Sequence, residues 1–448
     1  MTVGANLTLL TDLYQLTMAQ SYFREQRTES ATFSLFIRSY PRNRSYFVSA
    51  GLMDVLEYLE DFTFDRPGLD YLTSQKLFSD DFLHYLADLR FTGNVWAIPE
   101  GRLFFTDEPI IEITAPIIQA QIIETFIINQ IHLQSLIATK ASRCVHAAAG
   151  RSVVDFALRR THGTDAGMKV ARASYLAGCG GTSNVLAGSR YGIPIVGTMA
   201  HSFVMSFDRE IDAFRAYVAS FPRNAILLID TYDTIAGAAN AVRVAQEMAA
   251  RGEKLIGVRI DSGDLAAQAR EVRKILDAAG FADCKIIGSG GLDEYDLAEL
   301  ALAKAPYDSY GVGTRMGISA DAPWTDISYK LVEYQGRPVL KLSTGKASWP
   351  GKKQVFRFRD SKGKLQRDVI GLRDEKLPGE SMLEEIMRNG RVSKAYPSLT
   401  EIRRVFEADF ASLQENVKAI RDPSNYLVEF SPGLRALRDE VTGKLARG

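Results

Sequence analysis

Cysteine is scarce in this chain of 448 residues, which holds only Cys144, Cys179 and Cys284, far apart and without a CxxC pair. That spacing argues against a disulfide framework or a structural zinc site and leads us to expect a reducing, cytoplasmic setting. Neither sign of charge is in excess: 54 basic residues balance 54 acidic ones, so neither nucleic acid nor an anionic membrane is an expected partner. Long apolar runs are missing too. The most apolar stretch, IIQAQIIETFIINQIHLQSLIA, carries Glu124 and several amides and reads as a buried helix rather than a membrane span. The beginning, MTVGANLTLLTDLYQLTMAQ, lacks the basic start and apolar core of a signal peptide. There is no HExxH and no nearby Cys–His pair, so zinc-protease and thiol-protease chemistry lack their parts.

What the chain does have is a rhythm. Seven short apolar runs between Val153 and Val312 end in bursts of Gly, Asp, Thr, Asn or His: SVVDFALRR, ASYLAGCGGTSN, IPIVGTMAHS, AILLIDTYDT, LIGVRIDSGD, KIIGSGG and DSYGVGT. Most are followed by helix-like stretches, such as DLAAQAREVRKILDAAG. Strand, polar turn and helix repeating about every 30 residues predict an α/β fold with a parallel barrel or doubly wound sheet. In barrels the strand ends carry the chemistry, so an enzyme is expected. None of the seven ends carries a lysine, so a Schiff-base aldolase is disfavoured. Residues 1–115 break the rhythm with a helix near Asp12–Phe23 and strand-like runs ATFSLFIR, NVWAIPEG, RLFFTDEP and IIEITAP. We therefore expect an N-terminal α+β lobe over 1–115, a barrel domain over 116–325, and a C-terminal region, 326–448, packing on the first lobe. That last region predicts a hairpin turning at Gln335–Gly336, further strands in QVFRFRD and KLQRDVIGL, and an amphipathic helix from SLTEIRRVF onward.

The strand ends suggest specific roles. Ser289, Gly290 and Gly291, and Gly311 through Gly313 to Thr314, form turns in which glycine lets backbone N–H groups converge on a phosphate. Tight turns also use glycine for steric reasons alone. RIDSGD gathers Arg259, Asp261 and Asp264; the guanidinium suits pyrophosphate, and the acids suit ribose hydroxyls or Mg²⁺. Asp264 serves equally well as a helix cap. His201, beside Thr198 and Ser202, ends one run, and Asp230 and Asp233 end the next. A carboxylate that fixes the imidazole tautomer would free the other nitrogen as nucleophile or base. Phe156 with Arg159 and Arg160 suits a flat anionic ring, with core packing and a solvated helix start as the competing readings. His84, His132, His146 and His162 read as structural.

In order along the chain, TDLYQLTMAQSYF, FALRRTHGTDAG, GGTSNVLAG, GIPIVGTMAHSF, GVRIDSGDL and YGVGT resemble the nicotinate phosphoribosyltransferase family from Thr11 to about Lys330. The resemblance implies an irregular parallel α/β barrel of the type II phosphoribosyltransferase kind with a flanking, mainly antiparallel α+β lobe. It implies that nicotinate and 5-phosphoribosyl 1-pyrophosphate give nicotinate mononucleotide and pyrophosphate, coupled to ATP hydrolysis, with Mg²⁺ as cofactor. It also implies a homodimer with shared sites. By position, His201 matches the histidine that ATP phosphorylates and Asp230 the carboxylate that orients it. Tyr14, from the other subunit, and Phe156 match the aromatics sandwiching the pyridine. Thr198 matches a nicotinate contact, Arg259 and Thr314 hold the phosphoribosyl donor, and Asp261 approaches the ribose and its metal. SGGLDE is more glycine-rich than the family version. Asn184 is the position expected to discriminate substrates, since nicotinamide-preferring relatives carry an acid there. Nicotinamide phosphoribosyltransferase is the alternative, followed by a sugar-phosphate-processing barrel or a non-catalytic binding barrel.

Overall fold

The computed structural model describes residues 6–343 and 348–446. Apolar residues have sorted into two compact units, one of Met1–Thr139 with Ala322–Gly448 and one of Lys140–Asp321.

The second unit holds all seven runs. Five form a parallel sheet in the order Ser152–Asp155, Ser309–Val312, Lys285–Gly288, Gly257–Ile260, Ile226–Leu228. Val258, Ile260, Ile286, Tyr310 and Val312 are wholly buried. Each buried aliphatic side chain contributes about 1.5–3 kcal/mol, which favours short continuous apolar strands over alternating ones. The other two runs add single parallel bridges, Asp155 to Thr182 and Thr182 to Ile195. Among the described residues no ladder joins Ile226–Leu228 to Ile195. The expected strand in ASYLAGCGGTSN is mostly absent because its first residues finish the helix Thr164–Leu176. The third run carries Pro194, which has no N–H to give a ladder, although its carbonyl accepts from Thr182.

Helices follow the strands where acids cap them. Asp233 accepts from Ala236 N–H at 2.7 Å before Thr234–Ala249, and Asp264 from Ala267 N–H at 3.0 Å before Leu265–Ala278. Asp293 completes a capping box with Asp296 before Glu294–Leu302. In Leu265–Ala278 the buried Ala269, Val272 and Leu276 recur at helical spacing and face the sheet.

The first unit interleaves both ends of the chain. Its seven-stranded antiparallel sheet runs Arg337–Pro338, Ile327–Tyr334, Ser30–Ile37, Ile111–Pro116, Asn94–Ala97, Glu384–Arg388, Arg391–Val392. Ser30–Ile37 thus lies between an N-terminal and a C-terminal strand, and the hairpin turns at Gln335 (φ 54°) and Gly336 (φ 70°) as expected. A second sheet joins Glu380–Ser381, Lys353–Arg359, Leu365–Leu372 and Val428–Phe430. The boundary falls at 139/140 rather than the expected 115/116. Ile117, Ile118, Ile122, Ile123, Phe126, Ile127 and Ile131 are part of the first unit's core, and that burial draws residues 117–139 into it. The expected single helix there is two, Ile117–Ile122 and Glu124–Ala147. No helix among the described residues is long and apolar enough to cross a membrane.

Candidate active site

The parallel strands of the second unit end around one cavity of about 580 Å³, the size of a small-ligand site. Of the residues singled out from the sequence, Phe156, Arg159, Arg160, Thr198, His201, Arg259, Asp261, Ser289, Gly290, Gly291, Gly313 and Thr314 line it. Parallel strands bring residues 100 or more positions apart to one edge, because every strand ends on the same side.

Two glycines are required by contacts. Gly290 has φ +100°, and a Cβ there would collide with the carbonyl of Asp261. At Gly311 a Cβ would enter the Phe156 ring, so the bare backbone is what lets that ring lie beside the strand end. Ser289 N–H donates to the carbonyl of Ile260 at 2.9 Å, and its hydroxyl donates to Asp261 Oδ1 at 2.5 Å. The glycine turn and the Arg259–Asp261 strand end are therefore tied together.

His201 opens the short helix His201–Met205 and is 40% exposed in its side chain. Its Nδ1 lies 3.1 Å from Thr231 Oγ1, and its Nε2 lies 3.9 Å from Asp261 Oδ2. The direct pairing with Asp230 expected from the sequence is not the one present. Asp230 Oδ2 is taken by Asp261 N–H at 2.8 Å and by the Ser262 hydroxyl at 2.7 Å, so this carboxylate clamps the next strand's turn. Its Oδ1 is buried and has no hydrogen-bond partner among the described residues. Asp233, which ends the same run as Asp230, is a helix cap, as is Asp264.

The cavity's electrostatics favour an anion. Arg259 donates from Nη2 to the carbonyl of Met199 at 3.1 Å, while its buried Nε has no partner among the described residues. Burial pushes the Arg259 pKa down and the nearby Asp261 and Asp230 pull it back up, so the guanidinium is short of negative charge. Arg159 and Arg160 sit exposed in the turn Leu158–Arg160, and no side-chain partner is present for either among the described residues. Asp261 is the one carboxylate on the cavity wall.

Two expected site residues, Asn184 and Ser202, are not on this wall, and Tyr14 is expected from the other subunit. Asn184 is 3% exposed and caps the helix Val185–Tyr191: its Oδ1 accepts from Ala187 N–H at 3.1 Å and its Nδ2 donates to Gly167 O at 3.2 Å. Its amide is fully used within the fold, and its neighbour Ser183 lines the cavity instead. Ser202 is exposed on the short helix but is not part of the cavity wall. Tyr14 belongs to the first unit, on the helix Leu13–Arg24, and is 49% exposed.

The sequence reading missed Ser183, Leu158, Gly197, Met199 and Ala200 on the wall, and Asp155 behind it. The small and apolar ones carry no chemical signal in a sequence. Asp155 does carry one, as an acid at a strand end beside Phe156.

Models of the nicotinate phosphoribosyltransferase N-terminal domain, family region and C-terminal domain match residues 9–132, 151–366 and 378–438. A nicotinate phosphoribosyltransferase of Mycobacterium tuberculosis is 47% identical over 447 residues, covering 99% of this chain and 94% of that protein. One from Bacillus subtilis is 38% identical, covering 95% and 93%. The crystal structure of human nicotinic acid phosphoribosyltransferase superposes with a TM-score of 0.87 at 30% identity, covering 96% of this chain and 99% of that one. Likeness of this extent runs through both units and every strand end that meets at the cavity, and the chain belongs to the nicotinate phosphoribosyltransferase family.

Proposed function

We propose that this chain joins nicotinate to 5-phosphoribosyl 1-pyrophosphate, forming nicotinate mononucleotide and pyrophosphate for NAD biosynthesis. The observation that carries this reading is one cavity lined by an aromatic ring, three guanidinium groups, a glycine turn and a histidine at a helix start. The pyridine nitrogen attacks the anomeric carbon as the bond to pyrophosphate breaks. Phe156 offers a face for the ring, Arg259 and the turn Ser289–Gly291 with Thr314 hold phosphate, and Asp261 faces the ribose. Since the pyridine nitrogen is already a nucleophile, placement matters more than proton transfer. Arg259, with an unsatisfied Nε, gains most from the charge that develops on the departing pyrophosphate.

Coupling to ATP is assigned to His201, phosphorylated on the exposed ring. Thr231 at Nδ1 and Asp261 near Nε2 are its neighbours, and Asp230 supports it through the Asp261 backbone. Mg²⁺ suits the site as an ion shared with substrate. The described residues hold no cluster of three or more His, Cys, Asp or Glu able to bind a metal, whereas Mg²⁺ commonly takes one or two carboxylates plus substrate phosphates. Asp261 is the residue that would hold it, and the ion would supply neutralisation of the pyrophosphate charge.

The parallel series is read as the irregular barrel of type II phosphoribosyltransferases. Leu9, Leu10, Leu13 and Tyr14 are all exposed, which supports a homodimer in which Tyr14 stacks on the pyridine of the neighbouring site. A cytoplasmic location fits three buried cysteines, none of them in a disulfide among the described residues.

The test is incubation with nicotinate or nicotinamide, the phosphoribosyl donor and Mg²⁺, with and without ATP, identifying the mononucleotide formed. Nicotinate mononucleotide should dominate, and ATP should be hydrolysed alongside. His201→Ala should lose ATP hydrolysis but keep slow ATP-independent synthesis. Equal turnover of nicotinamide would overturn the substrate assignment, and acid-labile phosphate on the alanine variant would overturn the role of His201.

A further inference from the structure

Behind the cavity wall lies a group that the reaction chemistry does not use. Asp155 ends the first parallel strand and is 1% exposed. Its Oδ1 accepts from Ala157 N–H at 2.8 Å, just past Phe156, and its Oδ2 accepts from the Thr182 hydroxyl at 2.7 Å, just before Ser183. Thr182, also wholly buried, accepts at the same hydroxyl from Asn184 N–H at 3.0 Å.

The backbone repeats the link. Ser183 N–H donates to the Asp155 carbonyl at 2.8 Å, and Asp155 N–H to the Gly181 carbonyl at 2.9 Å. Thr182 passes the connection on, since Val196 N–H donates to its carbonyl at 2.9 Å immediately before Gly197 and Thr198. Two wall segments, Phe156 to Arg160 and Ser183, are thus joined through one buried carboxylate–hydroxyl pair, and the third, Gly197 to His201, is attached through the backbone carbonyl of Thr182. The donor-facing segments have a tie of their own, running Asp230, Asp261, Ser289.

We propose that Asp155 and Thr182 are positioning residues that set the spacing of Phe156, Ser183 and Thr198 around the pyridine ring, and so govern nicotinate recognition separately from recognition of the phosphoribosyl donor. This rests on the functional reading above. A carboxylate is suited to the task because it accepts from both turns at once, and the threonine hydroxyl both donates to it and accepts from Asn184. Replacing the hydroxyl with a methyl leaves buried acceptor and donor groups unsatisfied on two of the three segments.

The experiment compares Thr182→Val, nearly the same shape without the hydroxyl, with Thr182→Ser, which keeps it, and with Asp155→Asn. Steady-state constants are measured for nicotinate and for the phosphoribosyl donor, beside thermal melting. Thr182→Val and Asp155→Asn should raise KM for nicotinate about tenfold and leave KM for the donor within about twofold. Thr182→Ser should restore the parent value. The proposal is overturned if both KM values rise by the same factor, or if Tm falls while both KM values stay put. It is overturned equally if Thr182→Ser behaves like Thr182→Val. Should Thr182→Val not fold, Asp155→Asn and Thr182→Ser carry the same comparison. Failure of the parent protein to use nicotinate would instead strike the functional reading, which keeps the two failures apart.

Discussion

Arg357 and Arg259 are both largely shut off from solvent, yet the two units treat them in opposite ways. In the unit built from both chain ends, Arg357 is saturated. Its Nε meets both oxygens of Asp368 at 3.1 Å, Nη1 meets Asp409 at 2.9 Å, and Nη2 meets Asp368 at 2.7 Å and the carbonyl of Leu103 at 2.8 Å. Burial pushes its pKa down, and Asp368 and Asp409 more than reverse this, so the net shift is upward. In the parallel unit Arg259 has one carbonyl contact, an unsatisfied Nε and a net downward shift from burial. A charge that serves the fold has its partners built in. One that serves a ligand keeps part of its bonding capacity open, and the folded protein carries that as a local deficit.

The contrast breaks most sharply by deleting each arginine. Arg259→Ala should lower kcat/KM about 10³-fold with Tm almost unchanged, because it removes a donor aimed at developing charge and relieves a desolvated cation. Arg357→Met should do the reverse, lowering stability by about 3–5 kcal/mol by stranding the buried carboxylate of Asp368, while Asp409 keeps Arg102 and Arg359 and KM values stay near the parent's. Kinetics and chemical denaturation of both variants check this. A large Tm loss in the Arg259 variant would dissolve the distinction.

A smaller effect tests the wall of the site against its frame. Ser183→Asp places a negative charge on the cavity wall and should cut the preference for nicotinate over nicotinamide by about 10- to 100-fold. Asn184→Asp loses the Nδ2 donor to Gly167 and should lower Tm with little change in that ratio. The ratio of the two kcat/KM values in each variant decides which residue reads the substituent.

The smallest effect lies in the first unit, at Asp107. Burial pushes its pKa up to about 6 against the opposing pull of Arg38, and its backbone is left-handed at φ 66°. An acid whose folded pKa is raised holds its proton more tightly when folded. Its contribution is present at low pH and is lost as pH rises through about 6. Asp107→Asn, which suits that backbone and never ionises, should raise Tm by about 2 °C near pH 8 and leave it unchanged near pH 4. Melting curves at the two pH values measure the difference.

Residues whose role is local were legible in the sequence. The glycine turn at Ser289–Gly291, the caps at Asp233 and Asp264 and the hairpin at Gln335–Gly336 depend on neighbours within a few positions. The alternation of apolar runs and helices likewise announced a parallel α/β unit, because strand burial and helix periodicity are written in consecutive residues. Roles that depend on a second element were not legible. Asp230 and Asp233 stand three residues apart at one strand end. Only the register of the adjacent strand makes the first a clamp on Asp261, while the second caps its own helix.

Sequence alone therefore determined the parallel unit, its polar strand ends and most of the residues that meet there, since short-range periodicity and turn chemistry specify them. Tertiary structure decided the rest. It put the domain boundary at Thr139, where the isoleucines of 117–131 find their core, and sent Asn184 inward while leaving Ser183 on the wall. It also fastened two wall segments to Asp155 and a third to Thr182 beside it. Each of these rests on which distant surface a side chain meets, and that is settled by packing and register between elements rather than by any run of neighbouring residues.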